Sequence, residues 1–221
     1  MDPQIFHVST LLSVSFALGL GAFFVYRNPK KIRGETFYFL LWACGSLWWL
    51  FVALGNLINP YSKINFGIAS TLLAFQIYFG LLFALAQFKL PKIIFQIITG
   101  IFTLLLIGFF YFLVNAQTTL LFYPGGIPAT KVSLFGENLS IFIFLSLVVI
   151  ASILISFLIV RAIKDGEISW EDPSLFYILM APFIYLILTL PAAFLVFAGS
   201  LFLLLHFLIP LLIFLAYGSK K

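Results

Sequence analysis

Charge is the scarcest material in this chain. Of 221 residues only 9% are Asp, Glu, Lys or Arg, while 63% are hydrophobic; soluble domains carry about 25% charge. That balance excludes an ordinary aqueous fold and points to an integral membrane protein. Cysteine is nearly absent. The single Cys44 lies inside an apolar run, so no internal disulfide is possible and the redox compartment stays open. A basic leader is also missing: the first residues, MDPQIFH, lack the positive region of a cleavable signal peptide, so the first apolar run is read as a retained helix.

Other absences remove whole classes of chemistry. From Ser174 to Tyr217 there is no Lys, Arg, Asp or Glu, so no lysine is available there for a retinal Schiff base. Two histidines and no intramembrane carboxylate fall short of a zinc hydrolase built on helices. Ion-coupled pumps display ionisable groups inside their spans, and none is present apart from the histidines. Walker, Rossmann and CxxC patterns are lacking. The chain reads as non-enzymatic. Its net charge of +5 belongs to short loops beside apolar runs rather than to a basic face, which argues for membrane topology and against nucleic acid.

What is present is organised around Ser174–Tyr217. As one helix it would be roughly 66 Å long, about twice the hydrocarbon thickness of a bilayer. It must fold back, and Ala198-Gly199-Ser200 is the turn-competent place. Charge-free windows then fall at about 4–26, 36–58, 64–88, 93–115, 139–160, 175–197 and 201–217. The expected fold is all-α: a single polytopic domain of seven transmembrane helices, multi-pass in the cell membrane, since open strands cannot satisfy their backbone in lipid. Threaded alternately, ten of the twelve cations fall on one side, with only Lys63 and Lys131 on the other. The positive-inside rule puts the amino terminus outside and the carboxyl terminus in the cytoplasm.

Within this frame the polar residues are few enough to name. His206 is the one ionisable side chain of the last two windows, with Pro210 one turn on. His7 lies just inside the first window. First and last helices are often neighbours, so the two rings can meet in the outer half; that allows a bis-histidine haem or metal-assisted sensing site, against the blander alternative of hydrogen bonds to backbone or a polar pocket. Asn56, Trp49 and Gln76 complete a candidate pocket for a small or lipidic ligand, with Tyr78 beside Gln76. For Gln76 a structural interhelical hydrogen bond competes with ligand contact. Trp48 and Trp49 fall at mid-span, where indoles pack between helices, whereas Tyr38 and Trp42 read as a boundary belt. Ser9, Ser13, Ala17 and Gly21 form a small-residue stripe suited to close helix packing.

The loops add two expectations. AQTTLLFYPGGIPATKVSLFGEN is too apolar for a solvated linker, and runs 118–123 and 131–135 flank Pro124-Gly125-Gly126, which suits either a small hairpin over the mouth of the bundle or an irregular interfacial loop. RAIKDGEISWEDPS holds most of the acids; Asp172 before Pro173 suits a helix start, and the loop suits a cytoplasmic partner. Pro182, Pro191 and Pro210 are candidate kinks.

With RNPKKIRGE after the first window, SLWWLFVALG in the second, FQIYFGLLFALAQF in the third and a long apolar loop before the fifth, the chain resembles the amino-terminal seven-transmembrane sensor region of prokaryotic histidine kinases. The resemblance implies a stimulus receiver. With no kinase after Gly218, it implies a stand-alone receptor or receptor fragment that hands its signal to a separate signalling or membrane partner. Two rivals remain: a small transporter made of two three-helix repeats and a linker helix, for which no motif shared between the halves is found, and a non-catalytic subunit of a membrane complex.

Overall fold

The computed structural model describes residues 3–30, 32–58, 63–88, 90–114, 117–123, 127–133, 137–167, 173–193 and 204–218. Among them are seven α-helices: α1 (Pro3–Arg27), α2 (Glu35–Ile58), α3 (Lys63–Gln87), α4 (Lys92–Val114), α5 (Glu137–Lys164), α6 (Ser174–Ala193) and α7 (Leu208–Tyr217). Each overlaps one charge-free window; α2, α3 and α4 begin on the charged residue just before theirs, and α5 runs past its window through Arg161 to Lys164. Counted over residues whose side chains are described, four helical stretches are long and apolar enough to cross a membrane, Ile5–Arg27, Glu35–Ile58, Gly67–Gln87 and Leu147–Lys164, and the described parts Lys92–Gly108, Ser174–Leu188 and Leu205–Tyr217 are shorter apolar stretches. The expected turn at Ala198-Gly199-Ser200, the Pro124-Gly125-Gly126 loop and the Asp172 cap lie outside the described residues.

Six helices close a ring. α1 packs on α2, α2 on α3, α3 on α5, α5 on α6, α6 on α7, and α7 back on α1, while α4 stands outside the ring and packs on α3. Inward positions recur at helical spacing: Leu11, Val14, Leu18, Ala22 and Val25 on α1, and Val148, Ala151, Ile155, Leu158 and Ala162 on α5 are buried. α3 is enclosed by three neighbours, and Gly80 through Leu85 are buried without a break. The outside is apolar as well. Ile97, Ile101 and Leu104 of α4, and Ile153, Phe157 and Val160 of α5, are all more than half exposed. Apolar faces of this extent require a non-aqueous surround.

Close approach of α1 and α2 is made by hydroxyls rather than by the Ser9–Ser13 stripe. The Ser15 and Ser46 hydroxyls each donate to the other's carbonyl at 2.8 Å, and a Cβ on Gly19 would stand 3.0 Å from Ser46 Oγ. Ser9 and Ser13 are exposed, their hydroxyls bonded back to Phe6 and Ser9 carbonyls of their own helix. Gly21 does serve packing, with its Cβ position 3.0 Å from Ile213 of α7.

The helix ends are built from local chemistry. α5 closes in a Schellman motif: Glu167 N–H reaches Ala162 O at 2.9 Å and Gly166 N–H reaches Ile163 O at 3.2 Å, with Gly166 at φ +69°. Arg161 pairs with Asp165 at 3.2 Å, a half-exposed i,i+4 contact of little energetic weight. At the same end of the bundle, Gly34, also at φ +69°, lets the α1–α2 loop lie against α3, where a Cβ would meet Ala86 Cβ at 2.8 Å. The Gln87 side-chain amide donates to Arg33 O, and Lys30 N–H donates to Glu35 Oε1 at 2.7 Å. Thermal melts should separate the two glycines. Gly166→Ala meets open space and is expected to cost only left-handed strain, about 1–2 kcal/mol; Gly34→Ala adds a collision and is expected to cost more.

Pro182 and Pro191 do not interrupt α6, which runs through both. Pro210 has a local effect. It cannot donate to His206 O, and the preceding turn, Leu205–Phe207, tightens to 3₁₀, with Leu208 N–H bonded to Leu205 O.

Two antiparallel strands, β1 (Gln117–Tyr123) and β2 (Ile127–Ser133), pair with Tyr123 opposite Ile127 and Gln117 opposite Ser133. The hairpin is there rather than an irregular loop, but its second strand starts at Ile127 and takes in Pro128. A two-stranded ribbon leaves one edge of each strand unpaired, so a residue without an N–H is tolerated. β2 touches α1 and α5, which are not neighbours in the ring, so the ribbon reaches across its mouth.

Candidate functional site

The ring interior is built on one face of α2. Tyr38, Trp42, Gly45, Trp49 and Ala53 recur every three to four residues and are all buried. Gly45 is the gap in that file. Opposite it, on α3, stands Gln76, which is fully buried; a Cβ on Gly45 would lie 2.3 Å from Gln76 Nε2. The glycine is therefore the slot that admits the carboxamide. From α6, the Tyr185 hydroxyl donates to Gln76 Oε1 at 2.8 Å. One buried hydrogen bond and one close backbone approach thus join α2, α3 and α6.

Around this amide the aromatic rings form an unbroken column. Trp48 lies 4.4 Å from Trp49, and Trp49 meets the His206 ring edge-on at 5.1 Å. His206 meets Tyr185 at 6.0 Å, and Tyr185 meets Trp42 at 5.8 Å with planes at 90°. Trp42 meets Tyr38 at 5.7 Å, and Tyr38 stacks on Tyr217 of α7 at 6.0 Å and touches Phe83 of α3 at 4.8 Å. These edge-to-face and offset geometries are the favourable ones. From Trp49 to Tyr38 the column covers eleven residues of α2, roughly 16 Å at 1.5 Å per residue. Its foot, Tyr38, follows one turn after Gly34, in the loop clasped to α3.

The chemistry of the interior is donor-rich. Trp42 Nε1, Trp49 Nε1 and Gln76 Nε2 are buried donors; Trp49 Nε1 and Gln76 Nε2 have no hydrogen-bond partner among the described residues, while the Trp42 indole faces the Tyr38 hydroxyl. A buried donor left unmade costs about 1–3 kcal/mol. Trp42, Gly45 and Trp49 share one face, so all three donors lie within about two helical turns.

The sequence-derived candidates divide accordingly. His206 and Trp49 are in contact, and Gln76 joins them through Tyr185. His7 is buried on α1, the helix that packs against the 3₁₀ turn carrying His206. Asn56 is half-buried two turns beyond Trp49. Tyr78 sits elsewhere: it lines a cleft between α3 and α4 and bonds to Thr103 at 3.0 Å. Among the described residues, no group of three His, Cys, Asp or Glu forms a metal site. Sequence reasoning missed Tyr185 and Gly45, and it assigned Tyr38 and Trp42 to a boundary belt although both are fully buried. The spacing 38, 42, 45, 49 was the available signal.

Compared with family models, with curated proteins and with solved structures, the chain matches none.

Proposed function

We propose that the chain is a seven-span protein of the cell membrane, amino terminus outside and carboxyl terminus in the cytoplasm, that works as a sensor module. It takes a small or lipidic ligand beside His206, Trp49 and Gln76 in the outer half of the ring. It passes the change to a separate signalling or membrane partner at the cytoplasmic loops. The observation that carries this reading is the buried Tyr185–Gln76 bond set in a continuous aromatic column. A site at one end of such a column is mechanically tied to Tyr38, Tyr217 and the α1–α2 loop at the other. Two packings of α6 and α7, hinged near Pro191 and Pro210, would then be biased by ligand contact.

Spin labels at positions 164 and 218, on a Cys44→Ala background in nanodiscs, test the mechanism. Two distance populations are expected, with their ratio shifted at least twofold by Gln76→Leu or Tyr185→Phe. One distance, unchanged by either substitution, would rule the switch out. Cysteine labelling of positions 131 and 221 in sealed cells tests the orientation: 131 should react from outside and 221 should not.

A facilitator is the second reading, favoured by the ring itself. α1–α3 and α5–α7 form two three-helix layers that meet edge to edge, with α4 outside, as two repeats joined by a linker helix would. The file of rings through the interior weighs against an open path. Solute flux in proteoliposomes separates the two.

A further inference from the structure

Tyr78 stands away from the ring interior, and it marks a different feature. α4 is held to the ring through α3, and a polar tie between them among the described residues is the pair Tyr78 and Thr103, 3.0 Å apart. Thr103 spends its proton on Thr99 O at 2.8 Å, so the Tyr78 hydroxyl is the donor and Thr103 Oγ1 the acceptor. Beside this tie lies a cleft of about 100 Å³. Its floor is α3, where Ser70 and Ala74, one turn apart, leave room that larger side chains would fill. Phe102, Leu105 and Leu106 of α4 and Leu147 of α5 form its walls.

Three properties define what fits. First, the lining is apolar apart from the hydroxyls of Ser70 and Tyr78, the latter already engaged. Second, the cleft is elongated: from Ser70 to Leu81 it follows α3 for eleven residues, roughly 16 Å, about half the 30 Å hydrocarbon core and centred on the middle of α3. Third, it is closed inward by Ile77 and Leu81, both nearly fully buried, but reaches the outer surface at Leu105, which is 45% exposed and lines the cleft. A void of this kind at membrane depth forfeits van der Waals partners along its whole wall, and water has no polar set to hold it there.

We infer that the α3–α4 cleft is a binding site for one acyl chain of a membrane lipid, lying along Ser70, Ala74 and Ile77 behind the Gln76 face of α3. The chain supplies the packing that α4 lacks on this side. The headgroup takes no part, because the cleft offers no cation and no free polar cluster.

The test uses the whole protein in nanodiscs doped with a phosphatidylcholine carrying a diazirine at mid-chain, followed by residue-level mapping of the photoadducts. Expected are adducts on Phe102, Leu105 and Leu106 at least fivefold above those on the outward Ile97, Ile101 and Leu104. Ala74→Phe, which fills the floor, should abolish that excess. Should Ala74→Phe fail to fold, Ser70→Leu serves the same purpose. Exchanging phosphatidylcholine for phosphatidylglycerol with the same labelled chain should leave the pattern unaltered. Adducts spread evenly around α4, or an excess that survives both filling variants, would overturn the assignment; a pattern that follows the headgroup would do so as well. None of these outcomes depends on the sensor reading.

Discussion

Gly45→Ala should lower the thermal midpoint of the purified protein, against the ordinary effect of the substitution. Replacing a helix-interior glycine by alanine normally stabilises by up to about 1 kcal/mol, because glycine loses more backbone entropy on folding. Here the added methyl would lie 2.3 Å from Gln76 Nε2. Either α2 and α3 separate or the amide turns away and abandons Tyr185. Overpacking costs about 1–3 kcal/mol, and a buried tyrosine hydroxyl stripped of its acceptor adds a penalty of similar size. A net loss of roughly 1–3 kcal/mol is expected, or roughly 2–12 °C. The sign should reverse in a Gln76→Ala background. With the carboxamide gone the methyl has space, and Gly45→Ala becomes neutral or stabilising there. The double-mutant cycle reads the coupling directly; additive effects of the two substitutions would mean that the amide does not occupy the slot.

The largest single loss is expected at Trp42. Its side chain is fully buried and stands edge-on between Tyr38 and Tyr185, where the surrounding helices cannot collapse without breaking the column. Trp42→Ala should cost about 3–5 kcal/mol, a drop of roughly 6–20 °C. Phe157→Ala, on the outer face of α5 and 56% exposed, should stay within about 0.5 kcal/mol. Helical circular dichroism is the appropriate probe, since the substitution removes a tryptophan fluorophore. Equal effects at the two positions would contradict the placement of Trp42 at the centre of the ring.

The helices were legible from the scarcity of charge, because cations and turn residues mark almost every boundary between apolar windows. His206, Trp49 and Gln76 were legible as candidates for one pocket, because polar and indole groups are few in so apolar a chain, but the sequence paired His206 with His7, and its ring contact with Trp49 is a product of packing. Azimuth was not. Tyr38 and Trp42 sit near one end of α2, and depth alone suggested a boundary belt; only the neighbours α3, α6 and α7 turn that face inward. The same limit separates Gln76 from Tyr78. Two residues apart means about 200° around a helix, so one side chain faces the ring interior and the other faces α4. Gly45 carried no signal because a slot is defined by what enters it from another helix. The exclusion of α4 was equally hidden: a helix apolar on every side does not reveal which neighbours it will have.

The seam between α1 and α7 joins the helix of the ring made earliest with the one made latest. Until α7 is made, the inward faces of the earlier helices have only lipid or the insertion machinery beside them, and His206 and Tyr217 have yet to arrive. Truncation before α7 therefore leaves an open trough rather than a smaller bundle, which makes the arrival of α7 the step at which the ring becomes a closed unit.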